Sequence, residues 1–82
     1  MGFNVIGKDI LDFDLMDEAS SSVTYYGFAD FNTSATSQAK FAIMRETVTG
    51  NVTIREWAGG SKAKNQIWDN RAALEYKLIQ TS

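Results

Sequence analysis

The stretch Phe41 to Ala58, FAIMRETVTGNVTIREWA, constrains the fold more than any other segment, because it folds on paper into one β-hairpin of definite register. With Gly50 and Asn51 as a two-residue turn, Thr49 faces Val52, Thr47 faces Ile54, Arg45 faces Glu56, Glu46 faces Arg55 and Met44 faces Trp57. Both charged pairs then join opposite signs. A three-residue loop would set Arg45 against Arg55 and Met44 against Glu56, so cross-strand electrostatics and side-chain pairing favour the shorter turn. Glycine followed by asparagine suits a primed turn, whose twist matches that of paired strands.

The rest of the chain is read around that hairpin. At 82 residues it is one small domain, burying roughly 60 to 65% of its unfolded surface. It contains no cysteine, histidine or proline, so it has no disulfide staple and no imidazole or thiolate metal ligand, and added stability is expected from oligomerisation. Hydrophobic residues make up 44% and aromatic residues 12%, enough for a packed core and too many for intrinsic disorder. A net charge of −2 without a basic block or acidic tail points to neither a nucleic-acid groove nor an anionic membrane surface. No apolar run approaches bilayer length, and the start MGFNVIGKDI lacks the features of a secretory signal, so synthesis in a cytoplasm is expected. The acceptor-like strings at Asn32 and Asn51 are chance matches on that reading, and Ile6 stands where a myristoylation signal needs serine or threonine.

Along the chain, Leu11, Phe13 and Leu15 alternate with Asp12 and Asp14 at period two, which reads as extended structure, as does the apolar Phe3 to Ile6. The polar string DEASSS, Asp17 to Ser22, is read as a flexible link between an amino-terminal arm, residues 1–18, and a single β domain, residues 19–82. In Val23 to Phe31 one face holds Val23, Tyr25, Gly27, Ala29 and Phe31 and the other Thr24, Tyr26, Phe28 and Asp30, a strand by composition. Asn32 to Gln38 is a polar loop, and Gly59-Gly60 ends the hairpin. Asn65 to Gln80 predicts one short helical turn around Ile67 to Arg71 and then a strand, although a helix would gather Ile67, Leu74 and Leu78 with Arg71 on one stripe. The fold class is therefore all-β: a small antiparallel meander or sandwich of about four strands, with an extended arm and a helical turn near Ile67.

Little here resembles reaction chemistry. Asp12 and Asp14 would lie on one strand face, about 7 Å apart, as outward charges normally do on a half-buried strand, and DILDFDLMDE lacks the glycine and oxygen ligands of a calcium loop. The string Ala58 to Lys62 has neither the spacing nor the lysine-serine pair of a phosphate loop. Serines and threonines abound without a histidine base. Trp57, Trp68, Tyr25, Tyr26 and Phe28 would make a stacking platform only beside a basic groove; Trp57 opposite Met44 reads as core filling. Trp68-Asp69-Asn70-Arg71 reads as a turn locked by a buried indole, with the carboxylate and guanidinium bonded locally. No enzyme, catalytic residue, cofactor or metal is expected.

Tyr25 to Arg45 (YYGFADFNTSATSQAKFAIMR), Ile54 to Gly60 (IREWAGG) and Asn65 to Tyr76 (NQIWDNRAALEY), in that order, resemble a loose group of small structural proteins of tailed bacteriophages. Such chains carry a glycine-alanine strand, a serine-threonine loop, a strand alternating aromatic, isoleucine and arginine, and a closing tryptophan-aspartate-arginine string. Phe41, Ile43 and Arg45 match the alternation, and Trp57, Trp68, Asp69 and Arg71 match the later positions. Phe41 stands where the pattern has tryptophan and Gly59 where it has aspartate, and the chain before Ser20 lies outside the resemblance. The resemblance implies a virion component without enzymatic activity, made in the host cytoplasm and acting as a repeated, homo-oligomeric subunit. Tail, baseplate or fibre-attachment region is the expected position, with capsid decoration the alternative. Partners would be other virion proteins and copies of itself, not nucleic acid or membrane. A phage-encoded module that inhibits a host factor through its aromatic face is the alternative from another class. Within the arm, Phe3, Val5, Ile6, Leu11, Phe13 and Leu15 are the expected partner interface, since so many apolar residues do not suit a solvated tail; the alternative is that Leu11 to Leu15 is the first strand of the chain's own sheet.

Overall fold

The computed structural model describes residues 13–79, which form one antiparallel sheet. The strands are β1 (Leu15–Glu18), β2 (Val23–Ala29), β3 (Ala39–Thr49), β4 (Val52–Ala58), β5 (Gln66–Ile67) and β6 (Tyr76–Lys77), with a 3₁₀ turn, Trp68–Ala73, between the last two. Neighbours run β1-β2-β3-β4-β6, and β5 pairs with the start of β3. This is the expected all-β meander, extended by short strands at its margins.

The hairpin register is the one that the charges require: Arg45 lies opposite Glu56, Glu46 opposite Arg55, and Met44 opposite Trp57. Gly50 has φ 60°, as the first position of a type II′ turn demands. The carboxy-terminal segment also follows its reading, with the 3₁₀ turn beginning one residue after Ile67 and a short strand following it.

Strand β3 is the centre of the molecule because it is buried on both faces, from Phe41 through Met44. Alternation divides its side chains. On one face Phe41 and Ile43 join Ala58, Trp68 and Tyr76, with Leu15, Tyr25, Ala29 and Leu74 packed around them. On the other, Ala42 and Met44 join Tyr26 and Trp57, with Phe13 and Phe28 alongside. A sheet covered on both sides explains why FAIM reads as an unbroken apolar run before the strand resumes alternation.

At the amino-terminal side the structure takes the alternative of an intramolecular first strand over that of a separate arm ending at residue 18. Leu15–Glu18 is the first strand of the chain's own sheet, with Leu15 opposite Gly27 and Glu18 opposite Thr24. DEASSS is not a loose link, since Asp17 and Glu18 are in β1 and the remainder is a closed turn. Ser20 Oγ accepts from the N–H groups of Ser22 and Val23 at 3.3 and 3.1 Å, and Ser20 N–H donates to Val23 O. Serine hydroxyls that replace backbone partners favour such turns, and closing so short a loop costs little chain entropy. Phe13 meets Tyr26 edge-on with 5.1 Å between centroids, so Phe13 and Leu15 pack on this chain's own body. Phe3, Val5, Ile6 and Leu11 lie outside the described residues.

Phe31 also departs from its assigned face, because β2 ends at Ala29 and Phe31 is 83% exposed. Asp30 turns the chain there: its carboxylate accepts the Phe31 N–H at 2.7 Å and its carbonyl accepts from Thr33, while Asn32 takes φ 62°.

Candidate functional site

Two arrangements stand out, one on each face of the sheet. The first is a bracing cluster under the 3₁₀ turn. Arg71 lies with its guanidinium 4.6 Å above the Trp68 ring, donates from Nε to Asp17 Oδ2 at 2.9 Å and from Nη1 to Trp68 O at 3.2 Å. Tyr76 donates its hydroxyl to Arg71 O at 2.8 Å, and its ring carries the Arg45 guanidinium at 4.7 Å. Arg45 in turn donates to Glu56 at 2.8 Å. Burial, and next to it the charge repulsion of the Tyr25 phenolate, push the Tyr76 phenol well above its ordinary range despite the opposing Arg45 and Arg71. A tyrosine held neutral in this way is a hydrogen-bond donor at every physiological pH. The cluster positions the turn against β1 and β3.

Gly27 makes this packing possible. A Cβ on Gly27 would stand 2.7 Å from Cε3 and 2.8 Å from Cζ3 of Trp68, so the indole occupies the space that any other residue would fill. Trp68 is the buried anchor expected from the Trp-Asp-Asn-Arg string. The carboxylate that meets Arg71 is that of Asp17, whereas Asp69 is exposed and joins the turn through its backbone N–H to Thr36 O at 3.2 Å. The sequence held no signal for the Asp17 contact, which joins residues 54 positions apart.

The second arrangement is an open cleft of about 280 Å³ on the Trp57 face, lined by Asp14, Phe28, Ala29, Ala42, Trp57, Lys62 and Lys64. Phe28 and Trp57 are 5.5 Å apart, and the Lys62 ammonium lies 5.4 Å from the Trp57 ring. Asp14 closes one end by accepting the Ala29 N–H at 2.7 Å. Sequence reading missed the lysines because they come from the loop after β4, which tertiary folding brings over Trp57. The cleft joins an aromatic wall to side chains of both signs, Asp14 on one side and Lys62 and Lys64 on the other. The five aromatic residues are divided and serve as core, with Tyr26, Phe28 and Trp57 on this face and Tyr25 and Trp68 on the other.

Among the described residues, no group of three or more His, Cys, Asp or Glu is placed to hold a metal ion, and no helix is long and apolar enough to cross a membrane. Compared with protein-family models, with curated proteins and with solved structures, the chain has no match.

Proposed function

We propose that this chain is a non-enzymatic, repeated structural subunit of a bacteriophage particle, placed in the tail, baseplate or fibre-attachment region. The observation that carries the reading is a small sheet with no cysteine to staple it, whose marginal strand β1 has one neighbour among the described residues and which exposes Val52 and Ile54. A protein of this kind gains stability from neighbours that occupy its edge. The resemblance of Tyr25 to Tyr76 to small tailed-phage proteins points the same way. Copies of the chain and other virion proteins are the partners, and Phe3, Val5, Ile6 and Leu11 contribute to the contact with them.

Mass spectrometry of purified particles of the encoding phage tests this reading. A subunit appears there in fixed stoichiometry to the major tail or capsid proteins; absence from purified particles overturns the proposal. The cleft walled by Phe28 and Trp57 favours a second reading, in which the protein inhibits a host factor through this aromatic face. In that case the chain is abundant in infected cells and missing from particles.

A further inference from the structure

Strand β6 pairs with the outer side of β4, Lys77 opposite Trp57 and Tyr76 opposite Ala58. The Gly59 N–H donates to Glu75 O at 2.9 Å, so residues 59 and 75 are a hydrogen-bonded pair of this ladder. Bonded and non-bonded pairs alternate along an antiparallel ladder. The same register therefore continues with Leu78 opposite Glu56 as a non-bonded pair and Ile79 opposite Arg55 as a bonded one. On the inner side, Val48 lies opposite Thr53 and donates its N–H to Ser22 O at 2.8 Å, towards β2. Val52, Ile54 and Glu56 thus turn their backbone groups to β3, and Thr53 and Arg55 turn theirs to the β6 side. Both ladders give the same parity: what Ile79 offers, Arg55 can take.

Strand β6 ends at Lys77, and the chain bends at Leu78. Leu78 and Ile79 are apolar yet exposed, as are Val52 and Ile54. In extended form, alternation sets Leu78 on the face of Tyr76 and Ala58, diagonal to Ile54, and Ile79 on the face of Trp57 and Arg55. The following residues are Gln80 and Thr81, which lie outside the described residues; isoleucine and threonine both suit a strand.

We propose that residues 78–81 are a strap that closes on β4 as a continuation of β6, with Leu78 opposite Glu56, Ile79 opposite Arg55, Gln80 opposite Ile54 and Thr81 opposite Thr53. Closing pairs the backbone groups of Arg55 with those of Ile79 and the groups of Thr53 with those of Thr81, and it brings Leu78 beside Ile54. The segment is tethered at Lys77 in the required register, so closing demands little more than straightening one bend. The gain is a few backbone hydrogen bonds and an apolar contact at the solvent boundary, each modest in net effect. The strap therefore opens without unfolding the body. A strand edge with unpaired groups is a template for other chains. The strap reserves this edge for the chain itself, and a strand from elsewhere reaches Thr53 and Arg55 only by displacing it. The device does not depend on the virion reading.

Nuclear magnetic resonance of the full chain tests the strap. In a non-hydrogen-bonded antiparallel pair the Cα atoms stand about 4.5 Å apart, so Hα–Hα cross-peaks are expected between Glu56 and Leu78 and between Ile54 and Gln80. Amide exchange should alternate, slower at Ile79 and Thr81 than at Leu78 and Gln80. Ile79→Pro removes the donor to Arg55 O and sets a ring against it. In that variant the Arg55 and Thr53 amides are expected to lose protection, while those of Ile54 and Glu56, bonded to β3, keep it. Should the variant unfold, the cross-peaks of the unaltered chain decide by themselves. Absence of both cross-peaks, cross-peaks in a shifted register, or Arg55 and Thr53 amides that exchange alike in the unaltered chain and in folded Ile79→Pro overturns the proposal.

Discussion

The indole of Trp68 lies in the space that a Cβ on Gly27 would occupy, 2.7 Å from its Cε3 atom. Strand β2 and the 3₁₀ turn approach so closely because one of them has no side chain at the contact. Gly27→Ala must therefore displace a buried ring rather than fill a void. Overpacking of this kind costs about 1 to 3 kcal/mol, and Trp68→Ala, which leaves a cavity instead, costs about 3 to 5 kcal/mol. Thermal unfolding of both variants checks this, and an unchanged melting temperature for Trp68→Ala rejects the anchor role.

Arg71 joins β1 to the 3₁₀ turn through Asp17, with both side chains about one-third exposed. A double-mutant cycle of Asp17→Ala and Arg71→Ala is expected to give a coupling of about 0.2 to 1 kcal/mol, since solvent screens such a pair. Arg71→Ala alone costs more than Asp17→Ala, because it also removes the contact with the Trp68 ring and the bond to Trp68 O. Equal single-mutant losses would contradict that division.

The two cross-strand ion pairs of the hairpin are unequal. Arg55 is half-exposed and touches Glu46, whereas Arg45 is more enclosed and also covers the Tyr76 ring. Arg55→Ala is expected to cost under about 1 kcal/mol. Arg45→Ala should exceed it by about 0.5 to 2 kcal/mol through the lost cation–π contact. Chemical denaturation of the two variants gives the comparison.

Burial raises the Tyr76 phenol above the ordinary tyrosine value of about 10. Below that value the phenol is protonated in both folded and unfolded chains. Above it the unfolded chain loses the proton while the folded one keeps it, so stability falls as pH rises further. Tyr26 is raised as well, by burial and then by Glu46, and adds to the slope. Tyr76→Phe should lower stability near neutrality by removing the bond to Arg71 O, yet flatten the loss above pH 10. Melting temperatures across the alkaline range, with tyrosinate absorbance, test both effects.

Deleting residues 1–9 probes the arm without touching β1. The remaining chain keeps Phe13 against Tyr26 and Leu15 against the Trp68 cluster, so it is expected to stay folded. Loss of incorporation into particles by that folded variant supports an interface role for Phe3, Val5 and Ile6, and incorporation at normal copy number removes it.

The sequence by itself determined the β3–β4 hairpin down to its register, because residues close along the chain set it: a glycine able to take positive φ, and two charged pairs that match in one alignment only. It also located the buried Trp68 and the short turn that carries it. Tertiary structure alone decided which carboxylate meets Arg71, why Gly27 has no side chain, and that the aromatic residues divide between two faces. Those outcomes depend on β1 and the 3₁₀ turn meeting across β2 and β3, and on the Lys62 loop folding over Trp57. The partners in each are distant in sequence, so no local period or pair of charges announces them. The strand Leu15–Glu18 joined the body for the same reason: alternation predicts an extended segment, but whether it pairs with its own sheet or a neighbour's depends on which edge is within reach, and the Ser20 turn puts β2 there.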